Sequence, residues 1–184
     1  MSDPNDLRTL WDEAWQHLSR GVADARHPAR YPTFATVSPE GMPEARTVAL
    51  RAASQSAARV EVHTDISTAK IRALQATPFA ALHVWIPRAD LQIRLGARVD
   101  ILTGPEVEAQ WSKVPPASRV SYGTEPAPGV PITHVYDYEK PPTRERFAVL
   151  ACHLISVDLV HLGGRHRRAL YVAKDCWQGT WVAP

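Results

Sequence analysis

Apolar residues recur along this chain first with a helical and then with an alternating period. Leu7, Leu10, Trp11, Ala14, Trp15 and Leu18 fall three and four apart, which predicts an amphipathic helix over about residues 3–20. Asp3 is placed to cap it and Pro4 to occupy its first position. The two tryptophans fit packing against a core or a second subunit. Beyond His27 and Pro28 the period drops to two. TFATVS (33–38) and ARTVALRA (45–52) flank PEGMP, whose Gly41 supplies a hairpin turn, so the two are expected to pair antiparallel. RVEVHT (59–64) is a third strand, and IRALQA (71–76) a short helix stopped by Thr77 and Pro78. FAALHVW (79–85) reads as a largely buried strand with His83 in the core. QIRLGARVDI (92–101) alternates most cleanly, with Ile93, Leu95, Ala97, Val99 and Ile101 on one face.

The second half is less regular. EVEAQW (106–111) and Pro115–Tyr122 suggest short helical segments. Residues 123–144 are rich in proline and lack a period, which predicts an extended surface excursion over a site or a partner subunit. FAVLACHLISVDLVHL (147–162) and ALYVA (169–173) read as two strands joined around Gly163 and Gly164. About seven strands, mostly in sequence-adjacent hairpins with helices at the margins, predict a mainly β fold, a small antiparallel barrel forming one domain over residues 1–184.

Composition changes this picture little. An apolar content of 45% over 184 residues supplies one core. Lysine and arginine exceed the acids by 21 to 19, too little to imply a nucleic-acid or anionic-membrane partner, so any basic site must be local. No basic stripe interleaved with aromatics runs along the chain. Two cysteines, Cys152 and Cys176, fit a reducing compartment and offer no metal spacing. No stretch approaches the ~18 apolar residues of a membrane span, and a cytoplasmic protein is expected.

The candidate chemistry gathers where RVEVHT runs into Thr64, Asp65, Ser67, Thr68 and Lys70. A helix starting near Ser67 presents unpaired backbone N–H groups, and the hydroxyls and Lys70 add the donors and charge that hold a phosphate. Taken alone, the stretch reads more readily as Asp65 or Ser67 serving only as an N-cap, with Lys70 a solvated helix residue. Arg46 and Arg51 lie five apart on one predicted strand and so face opposite ways, which leaves one of them in need of a partner. His161 and His166 straddle a turn without acidic or cysteine partners, so a metal site is not expected.

The ordered set of motifs resembles the FMN-binding split-barrel family that includes pyridoxamine 5'-phosphate oxidase. Arg46 to Arg51 stands where that family has R-x-V-x-L-[KR]. His63-Thr64-Asp65 with Thr68 and Lys70 matches [YH]-T-[ND] leading to S-x-K, and Gln92-Ile93-Arg94-Leu95-Gly96 matches Q-[IV]-x-[VL]-x-G. His166-Arg167-Arg168-Ala169-Leu170-Tyr171 and the ending Trp181-Val182-Ala183-Pro184 follow in order.

The resemblance implies a Greek-key-like split barrel, a bound FMN and a homodimer with the cofactor at its interface. It implies that Thr64, Thr68, Lys70 and Arg46 hold the phosphate, and that Thr47, Leu50, Arg51 and His63 line the flavin. Gln92 and Arg168 are carried over as flavin contacts, and Arg51 and His166 as the catalytic residues, with Arg51 countering charge on the reduced ring. Three features depart from the pattern: Gly164 replaces an arginine, Arg51 replaces a lysine, and W-S-K-V-P-P-A-S-R lacks the family's tyrosine and arginine. These support flavin binding more than vitamin B6 oxidation, and the expectation is an FMN-dependent oxidoreductase acting on an unidentified small molecule. The second expectation is a flavin-, haem- or deazaflavin-binding protein without turnover.

Overall fold

The computed structural model describes residues 6–184. The first helix, α1 (Leu7–Ala23), is capped by Asp6, whose carboxylate accepts from the Thr9 amide at 2.8 Å and the Thr9 hydroxyl at 3.0 Å. This corrects the expected start: a competent cap stands three residues later, and Asp3 and Pro4 lie outside the described residues. The predicted stripe faces inward. Leu10 and Leu18 are fully buried, worth roughly 1.5–3 kcal/mol each. The Trp11 ring lies 4.9 Å from Tyr171 and 5.4 Å from Trp177, so α1 is held by the end of the chain. Gly21 lets its last turn approach Ala29, whose carbonyl carbon would stand 2.6 Å from an added Cβ.

The strands follow as β1 (Thr33–Val37), β2 (Pro43–Thr47), β3 (Leu50–Ser54) and β4 (Arg59–Asp65). Helix α2 (Ala69–Ala76) leads to β5 (Phe79–Ile86) and β6 (Leu91–Leu102), then the short helices α3 (Glu108–Ser112) and α4 (Pro116–Arg119). The long β7 (Phe147–His161), β8 (Arg167–Val172) and β9 (Thr180–Val182) complete the order. All pairings are antiparallel. The path runs β2-β1-β5-β6-β7-β4-β3, with β8 on β7 and β9 on β8. This is the mainly β, split-barrel fold with flanking helices that the sequence predicts.

Two expectations need correction. ARTVALRA is not one strand. Its first half pairs with β1 and its second with β4, at opposite ends of the path, and Val48 and Ala49 make the crossing. His83 is not a core residue: β5 alternates strictly, burying Ala80, Leu82, Val84 and Ile86 and exposing Phe79, Ala81, His83 and Trp85. Both faces of β5 are apolar enough to read as buried, and only the sheet's curvature decides which one is the core.

The interior is filled by alternate residues of β3 to β7, among them Leu50, Val62, Leu82, Ile93, Leu95, Leu150 and Leu159. A second, smaller core lies outside the barrel, where Val107, Val114, Tyr122, Phe147 and Val149 pack together. It fastens the segment carrying α3, α4 and the proline-rich excursion over the outer face of β4 and β7. Residues 131–140 of that excursion are all exposed.

Candidate functional site

The hydroxyl-rich turn and the Arg46 strand meet at the start of α2. Thr64 is buried at the end of β4, and its hydroxyl accepts from Lys70 Nζ at 3.0 Å and lies 3.3 Å from the Thr68 hydroxyl. Thr68 caps α2 without a side-chain bond to the helix, and no backbone acceptor takes the amides of Ala69 and Lys70. Arg46 reaches the same place from β2, donating to the Thr36 hydroxyl at 2.7 Å and pairing with Glu44 at 2.7 Å. Burial and the neighbouring Arg46 lower the Lys70 ammonium below its usual value, with Asp65 opposing. Two cations held against each other, two threonine hydroxyls and two free helix amides form the donor set a phosphate dianion requires. The residues therefore fit the phosphate end of an FMN.

Asp65 fixes this turn. Its carboxylate accepts from the Ser67 amide (2.8 Å) and hydroxyl (2.6 Å), the Gly123 amide (2.8 Å) and Arg146 Nε (3.0 Å). Burial would raise its carboxyl, but these donors more than offset that and the group stays below the usual range. Asp65 is thus neither a bare N-cap nor a ligand. It ties the cradle to Gly123, where the proline-rich excursion begins.

Arg51 and His63 lie apart from the cradle, in a cavity of about 360 Å³ between the β3–β4 face and the α3–α4 segment. Arg30, Glu61, Gln110 and Tyr122 share its wall. Burial, then Arg51 and Arg30, push the His63 imidazole down to about 4, so it is neutral at pH 7. Burial raises the Tyr122 phenol, with Arg51 opposing. Arg51 occupies the irregularity where the β3–β4 register shifts, which turns its side chain out of the ladder. Leu50 is a core residue whose carbonyl accepts from Arg30 Nη1 at 3.0 Å, while Thr47 is exposed at the end of β2.

The remaining predicted residues are elsewhere. Gln92 lies on the outer face of β6 with its Oε1 3.3 Å from His83 Nε2. Arg168 pairs in two places with Asp158, at 3.1 and 2.9 Å, and Asp158 also binds Arg94. Those bonds outweigh the burial of Asp158 and hold its carboxyl low. His166 is exposed beside Arg168 and Trp181. Register places His63, Val149 and Leu102 in one row, and Gln92, Val160 and Arg168 in another. The rows are ten residues apart on β6, about 33 Å along the strand. One chain therefore holds these residues in two separate groups. Arg30, Gln110 and Tyr122 were missed from sequence, because Arg30 stands in an aperiodic, proline-flanked stretch and Gln110 and Tyr122 in segments predicted as short helices, where no spacing marks them.

Comparison with known proteins bears on the family and the fold. Residues 10–103 match the family model described as "Pyridoxamine 5'-phosphate oxidase, FMN-binding domain", a span that includes both the cradle and Gln92. A pyridoxine/pyridoxamine 5'-phosphate oxidase of Pseudomonas putida is 32% identical over 94 residues, 51% of this chain and 43% of the relative, so the match spans less than half that protein's length. A second such oxidase, from Arabidopsis thaliana, is 27% identical over 92% of this chain and 96% of its own. Among solved structures, a pyridoxamine 5'-phosphate oxidase-related, FMN-binding protein of Nostoc punctiforme shares the fold with a TM-score of 0.78 at 24% identity, covering 100% of both chains. PhzG of Burkholderia lata, in complex with tetrahydrophenazine-1-carboxylic acid, shares it with a TM-score of 0.73 at 18% identity, covering 99% of this chain and 95% of that one. With half of its length matched by the family model and its cradle inside that half, the chain belongs to the pyridoxamine 5'-phosphate oxidase FMN-binding domain family.

Proposed function

We propose that this protein is an FMN-dependent oxidoreductase of a small molecule, working as a homodimer. The observation that carries the reading is the cradle at the start of α2, where Arg46, Lys70, Thr64, Thr68 and two free amides converge. When bound, FMN supplies the hydride chemistry; the protein supplies binding, orientation and electrostatics. The cradle holds the phosphate, and Arg51 with Arg30 makes the neighbouring cavity positive, which favours negative charge developing there. His63, neutral at pH 7, offers a hydrogen-bonding edge without adding charge.

The homodimer reading rests on two features. Gln92, Arg168 and His166 belong to the half-site about 33 Å from the His63 row, too far to reach the same flavin within one chain. A second copy supplies them. The exposed face of β5, with Phe79 at 50% and Trp85 at 38% accessible, supplies apolar surface for that contact. Pyridoxine 5'-phosphate is not the substrate we assign, because Gly164 stands where the family's hairpin carries a cation.

The test is the absorption spectrum of the purified protein, followed by chromatography of the cofactor released on heating. Released FMN and flavin bleaching by a reducing substrate support the reading. A colourless protein that does not take up added FMN refutes it, and a flavin that no substrate bleaches makes the protein a carrier or sensor on the same fold. Among the described residues no helix is long and apolar enough to cross a membrane.

A further inference from the structure

Four buried side-chain polar atoms among the described residues have no hydrogen-bond partner, and three of them belong to residues lining one cavity. They are Arg30 Nε, Arg51 Nε and Gln110 Oε1. Buried polar atoms are nearly always paired, so exceptions that cluster around a cavity describe the ligand that would complete them. Two of these are cationic N–H donors and the third is an acceptor. The complement is an anionic acceptor with a hydrogen-bond donor beside it.

The kind of anion follows from what else is present. Arg30 spends its Nη1 on the carbonyls of Val22 and Leu50, each at 3.0 Å, and Arg51 hydrogen-bonds the Tyr122 phenol, so Arg30 Nε and Arg51 Nε are the buried charged donors without a partner, with Lys113 at the exposed rim. Glu61, 6% exposed and paired with Arg59 at 2.8 Å, puts a carboxylate in the same wall. A second negative charge on the ligand would face that acid. Nothing here repeats the helix amides and paired threonines of the phosphate cradle. The planar guanidinium of Arg51 instead matches the two oxygens of one carboxylate. Val22, Ala52, Ala109, Val114 and Pro115 supply the apolar part of the lining, Ser118 and Tyr122 add hydroxyls and Lys113 a cation, and about 360 Å³ is near the lower end of ligand-site volumes, which are about 300–1,000 Å³.

Building on the flavin-dependent reading above, we propose that the cavity takes a substrate with a single carboxylate and an adjacent N–H or O–H on a small ring: an amino- or hydroxy-substituted cyclic acid. The carboxylate sits on Arg51 and Arg30 Nε, and the neighbouring donor on Gln110 Oε1.

The experiment uses protein saturated with FMN, the loading checked by flavin absorbance, and titrates it calorimetrically with anthranilate, benzoate, aniline and phenyl phosphate. Anthranilate should bind roughly tenfold or more tighter than aniline, which lacks the charged acceptor, and about three- to tenfold tighter than benzoate, which lacks the donor. Phenyl phosphate should bind more weakly than anthranilate. In Gln110→Leu, or in Gln110→Met if the first variant loses its FMN, the gap between anthranilate and benzoate should close while benzoate binds as before. Equal binding of aniline and anthranilate, tighter binding of phenyl phosphate, or a gap that survives at position 110 overturns the proposal. So does a flavin-loaded protein that binds none of the four. A chain that takes up no FMN refutes the flavin reading, and this inference with it.

Discussion

Replacing Lys70 by Met removes one positive charge from the cradle and leaves a side chain of similar length. Lys70 Nζ sits 3.0 Å from the Thr64 hydroxyl, beside the free amides of α2. Its attraction for a bound phosphate is taken at a charge separation of about 4 Å. At an effective dielectric of about 20 that attraction is about 4 kcal/mol per unit charge. Part of it is already spent, because burial and Arg46 disfavour the ammonium in the apo protein. The net loss should resemble that of a hydrogen bond to a charged group, about 1.5–3 kcal/mol, or between about tenfold and about 150-fold in FMN affinity. The assay is quenching of FMN fluorescence on titration with apo protein at low ionic strength, run in parallel with riboflavin. Riboflavin lacks the phosphate, so its affinity should change by less than about twofold. An FMN affinity within about threefold of the parent, or an equal loss for both flavins, would refute the cradle assignment. The apo variant should be no less stable than the parent, since the repulsion from Arg46 is gone.

Three further outcomes are expected. His63 is held at about 4 by burial and two arginines, so below its ordinary value near 6.5 the unfolded chain gains a proton that the folded chain refuses. Stability to urea should fall by up to about 3 kcal/mol between those two pH values, then level off. His63→Asn should flatten that part of the curve; His17 and His27, also depressed by burial, remain in both, so parallel curves would count against the assignment. Asp65→Ala leaves Arg146 without its buried partner and frees Gly123 from the cradle, at a cost of about 3 kcal/mol in urea denaturation with weakened FMN binding; a change below about 0.5 kcal/mol would show the tie is idle. Trp85→Asp with Phe79→Asp places charge on the exposed face of β5 and should give a monomer by sedimentation that has lost FMN. A monomer that keeps full FMN affinity would show that the site is complete within one chain.

The strands of the interior were legible because their apolar residues alternate against polar ones, as on β6, where Ile93 to Ile101 face in and Gln92 to Asp100 face out. Legibility failed where that contrast fails. β5 carries Phe79 and Trp85 on its outer face, so nothing in its composition marked His83 as exposed. The break within ARTVALRA was invisible for a different reason: Val48 and Ala49 are as apolar as a strand interior, and the crossing is a property of the partners on either side. The cradle was legible because its parts are near in sequence, with Thr64, Thr68 and Lys70 spanning two turns of chain. The cavity was only half legible. Arg51 and His63 stand in strands that the alternation marks, but Arg30 reaches them through its bonds to the carbonyls of Val22 and Leu50, and Gln110 and Tyr122 through the α3–α4 segment packed on Phe147 and Val149.

The crossing at Val48 and Ala49 has a mechanical side. The two edges of the barrel wall, β2 and β3, are consecutive in the chain but have no ladder between them, so this seam is joined covalently by Val48 and Ala49, while the bond from the Val48 amide to the Pro32 carbonyl at 3.1 Å only extends the β1–β2 ladder on one side. Arg46 stands on one lip of the seam, Arg51 and His63 on the other. A flavin gripping both lips would act as a staple, so that opening the seam and releasing the cofactor become one event. Hydrogen exchange at β2 and β3 would then slow together as FMN is added, by an amount set by RT ln(1 + [FMN]/Kd).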